Sequence, residues 1–185
     1  MQSGITLLGY ALLGLIQQKP ASGYDLRKIF AETPMGSFSD SPGAIYPALR
    51  RLEERRLVQG SIEAGSGLRQ RKVLRLSAAG QAELKKWLSA PITQDDLARR
   101  TNELMLRFAF LDRVMGEAAT LRFLRSIEAE LRTYIPGLKA FLKSQGAQMP
   151  TSGSLALESG ILGYEAQLRW ASRAVGVYER KVKAQ

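Results

Sequence analysis

Apolar residues recur at helical spacing along almost the whole of this chain, and the pattern fails in one short window. Up to Arg56 and again from Ser77 onward the spacing is three or four residues, the period that lines one face of a helix. In between, Leu57-Val58 and Ser61-Ile62 lead into Ala64-Gly65-Ser66-Gly67, and Lys72 to Leu76 come back. Two short runs about a glycine-rich tip read as a β-hairpin. The expectation is a mainly α chain with one two-stranded ribbon set into it.

The helices before the ribbon are short and well punctuated. Thr6 to Gln18 carries Leu8, Leu12, Leu15 and Ile16 and stops at Lys19-Pro20. Ser22 caps a second helix to about Thr33, with Leu26, Ile29 and Phe30 inward. Pro34 to Asp40 is a turn. Ser41 then caps a third helix through Arg56, with Pro42 at its first position and Ile45, Leu49 and Leu52 along one side. Pro47 also falls near that start, where a missing N–H costs little. After the ribbon, Ser77 caps a fourth helix holding Leu84, Trp87 and Leu88, which ends at Ala90-Pro91. Three helices, a Ser/Gly-rich link before the third, and a hairpin make a winged helix-turn-helix over residues 1–90.

Tyr46, Arg50 and Arg51 project away from the apolar stripe of the third helix. The chain has a net charge of +10, with thirteen Lys and Arg against seven Asp and Glu in residues 1–90 and fourteen against ten in 91–185. An anionic partner follows, and double-stranded DNA suits this fold. Ser41, Gly43, Ala44 and Tyr46 would enter the major groove with Arg50 and Arg51, where arginine donates twice to guanine and small residues meet a thymine methyl. Arg69, Arg71 and Lys72 on the wing would meet phosphates or the minor groove. Strand alternation puts Arg69 and Arg71 on one face and Lys72 on the other. Ser22 and Tyr24 open the second helix, whose first amides could hold a phosphate.

Other chemistry is excluded or weak. With no cysteine and no histidine there is no disulfide, thiolate site, catalytic Ser-His pair or histidine sensor. Asp95-Asp96 precede a helix and read as its capping and dipole partners, not as a metal or acid-base pair. The Ala64 to Gly67 tip joins strands instead of opening a helix, so it is no phosphate loop. Ile5 to Ile16 is too short to span a bilayer and lacks a basic leader. No enzyme, metal or cofactor is expected, and the location should be cytoplasmic.

Residues 91–185 read as an α-helical dimerisation domain. Leu97, Leu104, Phe108, Leu111 and Met115 share a face, and the middle of that helix is apolar nearly all round. Leu124 to Phe141 continue at helical spacing, although Pro136-Gly137 should kink or break the helix. Gly146 to Gly153 is a loop. Leu157, Ile161, Tyr164, Leu168, Ala171, Val175, Tyr178 and Val182 then alternate four and three. Such seams exceed what one thin tail can satisfy, so Leu104, Phe108 and Leu111 with the Leu157 to Tyr178 seam are expected to meet a second copy.

The first half also resembles the PadR-like winged helix-turn-helix transcriptional regulators. The resembling residues are Ser22-Gly23-Tyr24-Asp25-Leu26, Gly43 to Leu49 with Arg51-Leu52-Glu53, then Arg69, Arg71 and Lys72, and Leu76 to Gly80. Ala44 departs from the pattern where Ser or Thr is common, Arg56 where a glycine usually ends the helix, and Val73-Leu74 where tyrosine is frequent. The resemblance implies a homodimeric repressor released by an effector. Phe108, Phe110, Tyr134, Tyr164 and Trp170, with Arg107 and Arg169 beside two of them in sequence, could line a pocket for a small aromatic carboxylate; simple core packing is the alternative for these aromatics. The rival from another class is a winged-helix adaptor that binds protein and keeps its basic face solvated.

Overall fold

A computed structural model describes residues 4–39, 42–64 and 70–184. The chain divides into two compact units, Met1–Ala90 and Pro91–Gln185. Ser41, Arg69 and the hairpin tip from Gly65 lie outside the described residues.

In the first unit α1 (Leu7–Gln18) starts where the Thr6 hydroxyl accepts from the Gly9 amide at 3.2 Å. A two-residue strand β1 (Ala21–Ser22) follows and leads into α2 (Gly23–Glu32). Ser22 and Asp25 close a reciprocal capping box there: the Asp25 amide donates to the Ser22 hydroxyl, and the Ser22 amide donates to the Asp25 carboxylate at 3.0 Å. The third helix is shorter than its sequence suggests. Pro42–Ala44 form a 3₁₀ turn, and α3 runs only over Ile45–Glu54. Pro47 explains the late start. Counted from Ile45 it is the third residue, where no intrahelical donor is needed, whereas a helix from Pro42 would lose a bond and set its ring against a carbonyl.

Strands β2 (Val58–Ala64) and β3 (Gln70–Leu76) form the antiparallel wing, and β1 adds to its other side in the order β1-β3-β2. Ala21 faces Leu74 and Ser22 faces Val73. This third strand has no sequence signal of its own, because two residues after Pro20 show no period. The helix α4 (Ala78–Leu88) is capped by Ser77. Its Gly80 sits so close to the Leu57 carbonyl that a side chain there would collide with the backbone. Leu12, Leu13, Ile16, Leu26, Ile45, Leu84 and Leu88 form the interior. Tyr10 stacks on Trp87 at 4.4 Å and donates its hydroxyl to Glu83 at 3.0 Å, which fastens α1 to α4.

The second unit is all helix: α5 (Gln94–Arg99), α6 (Thr101–Met115), α7 (Glu117–Gln145) and α8 (Thr151–Lys183). Thr93 and Asp96 make another capping box. Gly116, at φ 83°, supplies the left-handed turn between α6 and α7. The expected break at Pro136-Gly137 does not occur, for α7 runs through it. Leu131 and Ile135 stay buried just before the proline, and Lys139 meets Glu165 of α8 at 2.6 Å just after it, so packing outweighs one lost bond. The expected loop from Gly146 to Gly153 shrinks to a 3₁₀ turn at Gly146–Gln148, with α8 already begun at Thr151.

Helices α7 and α8 are antiparallel partners. Besides Lys139–Glu165, Glu128 accepts from Ser172 at 2.6 Å, and Arg125 pairs with Glu179 at 2.8 Å. The apolar seam of α8 is therefore largely occupied within one chain. Leu104, Leu111, Ile161 and Val175 are buried there, while Phe108, Leu157, Tyr164, Leu168 and Tyr178 are half-buried. The α7–α8 pairing covers part of this seam within one chain and leaves its half-buried members partly open.

Candidate nucleic-acid interface

The outward face of the first unit is built on a close approach of α2 to α3. Gly23 makes it possible, since a Cβ there would come within 2.8 Å of the Tyr46 ring. Tyr46 thus lies against the start of α2 and is still 52% exposed, while Tyr24 is 61% exposed. The Arg27 guanidinium lies 5.6 Å from the centre of the Tyr24 ring. Arg50 follows Tyr46 by four residues, on the same side of α3, and is exposed. Gly43 is exposed and Ala44 half-buried in the 3₁₀ turn ahead of them. Tyr24 with Arg27 on α2 and Tyr46 with Arg50 on α3 are thus all exposed, and Gly43 is exposed ahead of α3.

Three expected site residues are placed elsewhere or otherwise engaged. Ser22 is only 8% exposed, and its hydroxyl donates to Asp25 at 2.8 Å while accepting the Asp25 amide. Those Ser22 bonds hold the Asp25 carboxyl below its ordinary range. Ser22 is a cap, not a free donor. Arg51, one residue on from Arg50, points a different way and lines a cavity of about 250 Å³ with Ile5, Thr6, Gly9 and Leu52. Lys72 is turned back onto α3, where its ammonium lies 2.5 Å from Glu53.

Arg71, on the opposite face of β3, lies 3.7 Å from Asp25 and is more loosely held. A further wing arginine, Arg75, pairs with Glu63 at 2.6 Å and donates to Ser61 at 2.8 Å. The Arg75 hydrogen bond is the main cause that lowers the Glu63 carboxyl. The sequence missed Arg27, Asp25 and Glu53 as members of this surface. Asp25 and Glu53 stand in the motifs that carry the resemblance, with no role assigned to either, and nothing local marked Arg27.

Of the seven residues expected around an effector pocket, Tyr164 and Trp170 line one cavity together and the other five do not join them there. Phe108 meets Trp170 edge-on at 5.3 Å, with Tyr178 and Phe123 at 6.3 and 6.5 Å. Phe110 is interior. Arg107 is 3% exposed, 5.1 Å from the Phe123 ring centre, and burial pushes its pKa down. Arg169 is exposed. A cavity of about 460 Å³ does lie beside Trp170, lined by Tyr164, Gln167, Gly160, Gly163, Thr101 and Met105. Among the described residues no group of His, Cys, Asp or Glu could hold a metal ion, and no helix is long and apolar enough to cross a membrane.

A model of the transcriptional regulator PadR-like family matches residues 12–86, which include α2, α3 and both wing strands. The negative transcriptional regulator PadR of Bacillus subtilis is 30% identical over 82 residues, which cover 44% of this chain and 45% of that protein. A probable transcriptional regulator of Mycobacterium tuberculosis is 28% identical over 86 residues, 46% of each chain. These alignments thus span less than half of either relative. Among solved structures, Bacillus subtilis PadR in complex with operator DNA covers 95% of this chain and 99% of its own, at 22% identity and a TM-score of 0.43. A PadR-like transcriptional regulator from Bacillus cereus covers 92% and 94%, at 22% identity and a TM-score of 0.41.

Proposed function

We propose, from the premise that the chain carries a PadR-like regulator domain at residues 12–86, that it is a sequence-specific DNA-binding transcriptional repressor acting as a homodimer in the cytoplasm. The observation that carries this reading is the pair of helices α2 and α3, which approach at Gly23 and Tyr46 and expose Tyr24 with Arg27 and Tyr46 with Arg50. Arg50 on α3 would read a guanine in the major groove, and the tyrosine hydroxyls would meet phosphates on either side. Arg71, and Arg69 outside the described residues, are the wing groups left for the backbone. Its relatives are named as regulators, and no catalysis is assigned.

Two copies reading two half-sites would block a promoter. Release by a small aromatic effector is the finer part of the proposal, and its candidate seat is the 460 Å³ cavity lined by Tyr164 and Trp170, two of the aromatics picked out by sequence. A ligand there regulates only if it binds the free and DNA-bound forms unequally.

Selection of bound duplexes from a random pool, followed by titration of the winner against salt, tests the reading. A dimer that neutralises about eight phosphates gives a log–log slope near −7. Arg50→Ala should cost about 1–3 kcal/mol and relax preference at one position. Aromatic acids added to the complex should lower operator affinity. No enriched duplex and a flat salt response would instead favour the protein-binding adaptor.

A further inference from the structure

Lys72 is a natural phosphate contact by sequence, but its half-exposed side chain folds back across the ribbon onto α3. Register places Ile62 opposite Lys72 and puts Gly60 on the same face of the ribbon, two residues along. The Lys72 stem crosses β2 over Gly60, where any Cβ would collide with it, and the ammonium ends on Glu53 in the last turn of α3. Three elements thus each contribute one requirement: a bare backbone position on β2, a cation on β3 and a carboxylate on α3.

We infer that Lys72 and Glu53 are positioning residues that set the angle of the wing against the reading helix, and that Lys72 does not contact phosphate. The inference rests on the DNA-reading proposal above. With the Glu53 carboxylate already at contact distance, the Lys72 ammonium would have to leave or share that partner to meet a phosphate. Arg71 is different. Its partner Asp25 is 3.7 Å away and is already bonded to Ser22, so Arg71 can turn to the backbone at little cost. Neighbouring residues on opposite faces of one strand would therefore divide the work, one fixing the wing and the other binding.

The test compares Lys72→Met, Glu53→Gln, the double variant and the exchanged pair Lys72→Glu with Glu53→Lys, all in the full chain. Amide hydrogen exchange in β2 and β3 is followed without DNA, and affinity for the selected operator is followed against salt. Each single variant should speed exchange in both strands and weaken operator binding about threefold to tenfold. The double variant should be no weaker than either single one, the exchanged pair should restore both readings, and the salt slope should stay fixed. If Lys72→Met lowers the slope by about one unit while Glu53→Gln tightens binding, Lys72 is a phosphate contact and the inference is overturned. Should the parent bind no duplex, the DNA reading fails by itself and hydrogen exchange decides alone. Unchanged exchange in both single variants would then end the positioning role.

Discussion

Arg56 is the residue at which the backbone pays a visible cost. Its φ is 57°, the left-handed region, and it is the one non-glycine there among the described residues. The reason lies in how α3 ends. The Arg56 amide donates to the Glu53 carbonyl at 2.8 Å, and the Leu57 amide reaches back to Leu52 at 2.9 Å, which closes a Schellman motif. Leu52 and Leu57 are both buried, so the turn also brings the chain from reading helix to wing. A side chain in this conformation costs about 1–2 kcal/mol, and glycine avoids that at an entropic cost of about 0.5–1 kcal/mol. Arg56→Gly should therefore raise the urea midpoint by about 0.5–1 kcal/mol in stability with an unchanged m-value. A lower midpoint would show that the Arg56 side chain contributes more than its backbone costs. The resemblance had already marked position 56 as a usual glycine, and the structure supplies the reason.

At the scale of elements, a polar bond ties α6 to α8. The Tyr178 hydroxyl donates to the Asp112 carboxylate at 2.9 Å. Burial first, and that carboxylate second, push the phenol up to about 12 from its ordinary 10. The sign follows from the folded value being the higher one. The contribution to stability is complete below pH 10 and is lost as pH rises through 12, because the unfolded phenol ionises first. Tyr178→Phe should cost about 1–2 kcal/mol near neutrality, since Asp112 loses a donor. Measured by denaturant unfolding, its stability should fall less than that of the parent between pH 10 and 12. Parallel curves would assign the alkaline loss to other groups. Polar ties of this kind need a register between helices, and no spacing within α6 or α8 alone encodes one.

For the molecule as a whole, the homodimer reading depends on what a single chain leaves uncovered. In the unit Pro91–Gln185 that is Phe141 of α7 with Leu155 and Leu162 of α8, each more than half exposed. Leu155 and Leu162 are seven residues apart, so they lie along one side of α8. Leu162 also lines a cavity of about 310 Å³ with Leu142, Ile161 and Glu158. A second copy seated there would cover apolar surface that the α7–α8 pairing cannot reach. The parent should sediment as a dimer at micromolar concentration. Leu162→Lys should weaken association by about 3 kcal/mol or more while leaving helical content intact, because the site is exposed in the single chain. A parent that sediments as a monomer would remove the homodimer and the two half-sites together.

What the sequence determined by itself was set over three or four residues at a time. The helical periods, the caps at Ser22 and Ser77 and the hairpin window are read from neighbours, and each is present in the fold. The pairing of Ala21-Ser22 with β3 was not legible, because two residues become a strand only when another strand lies beside them. Nor was the continuity of α7 through Pro136, which depends on what Leu131 and Ile135 pack against. The same holds for the basic residues of the site. Arg50, Arg51, Arg71 and Lys72 look alike as letters, yet one is exposed beside Tyr46, one lines a cavity and two meet carboxylates on other elements. A long cationic side chain goes where the nearest carboxylate or open solvent lies, and only the tertiary structure decides which of these is within reach.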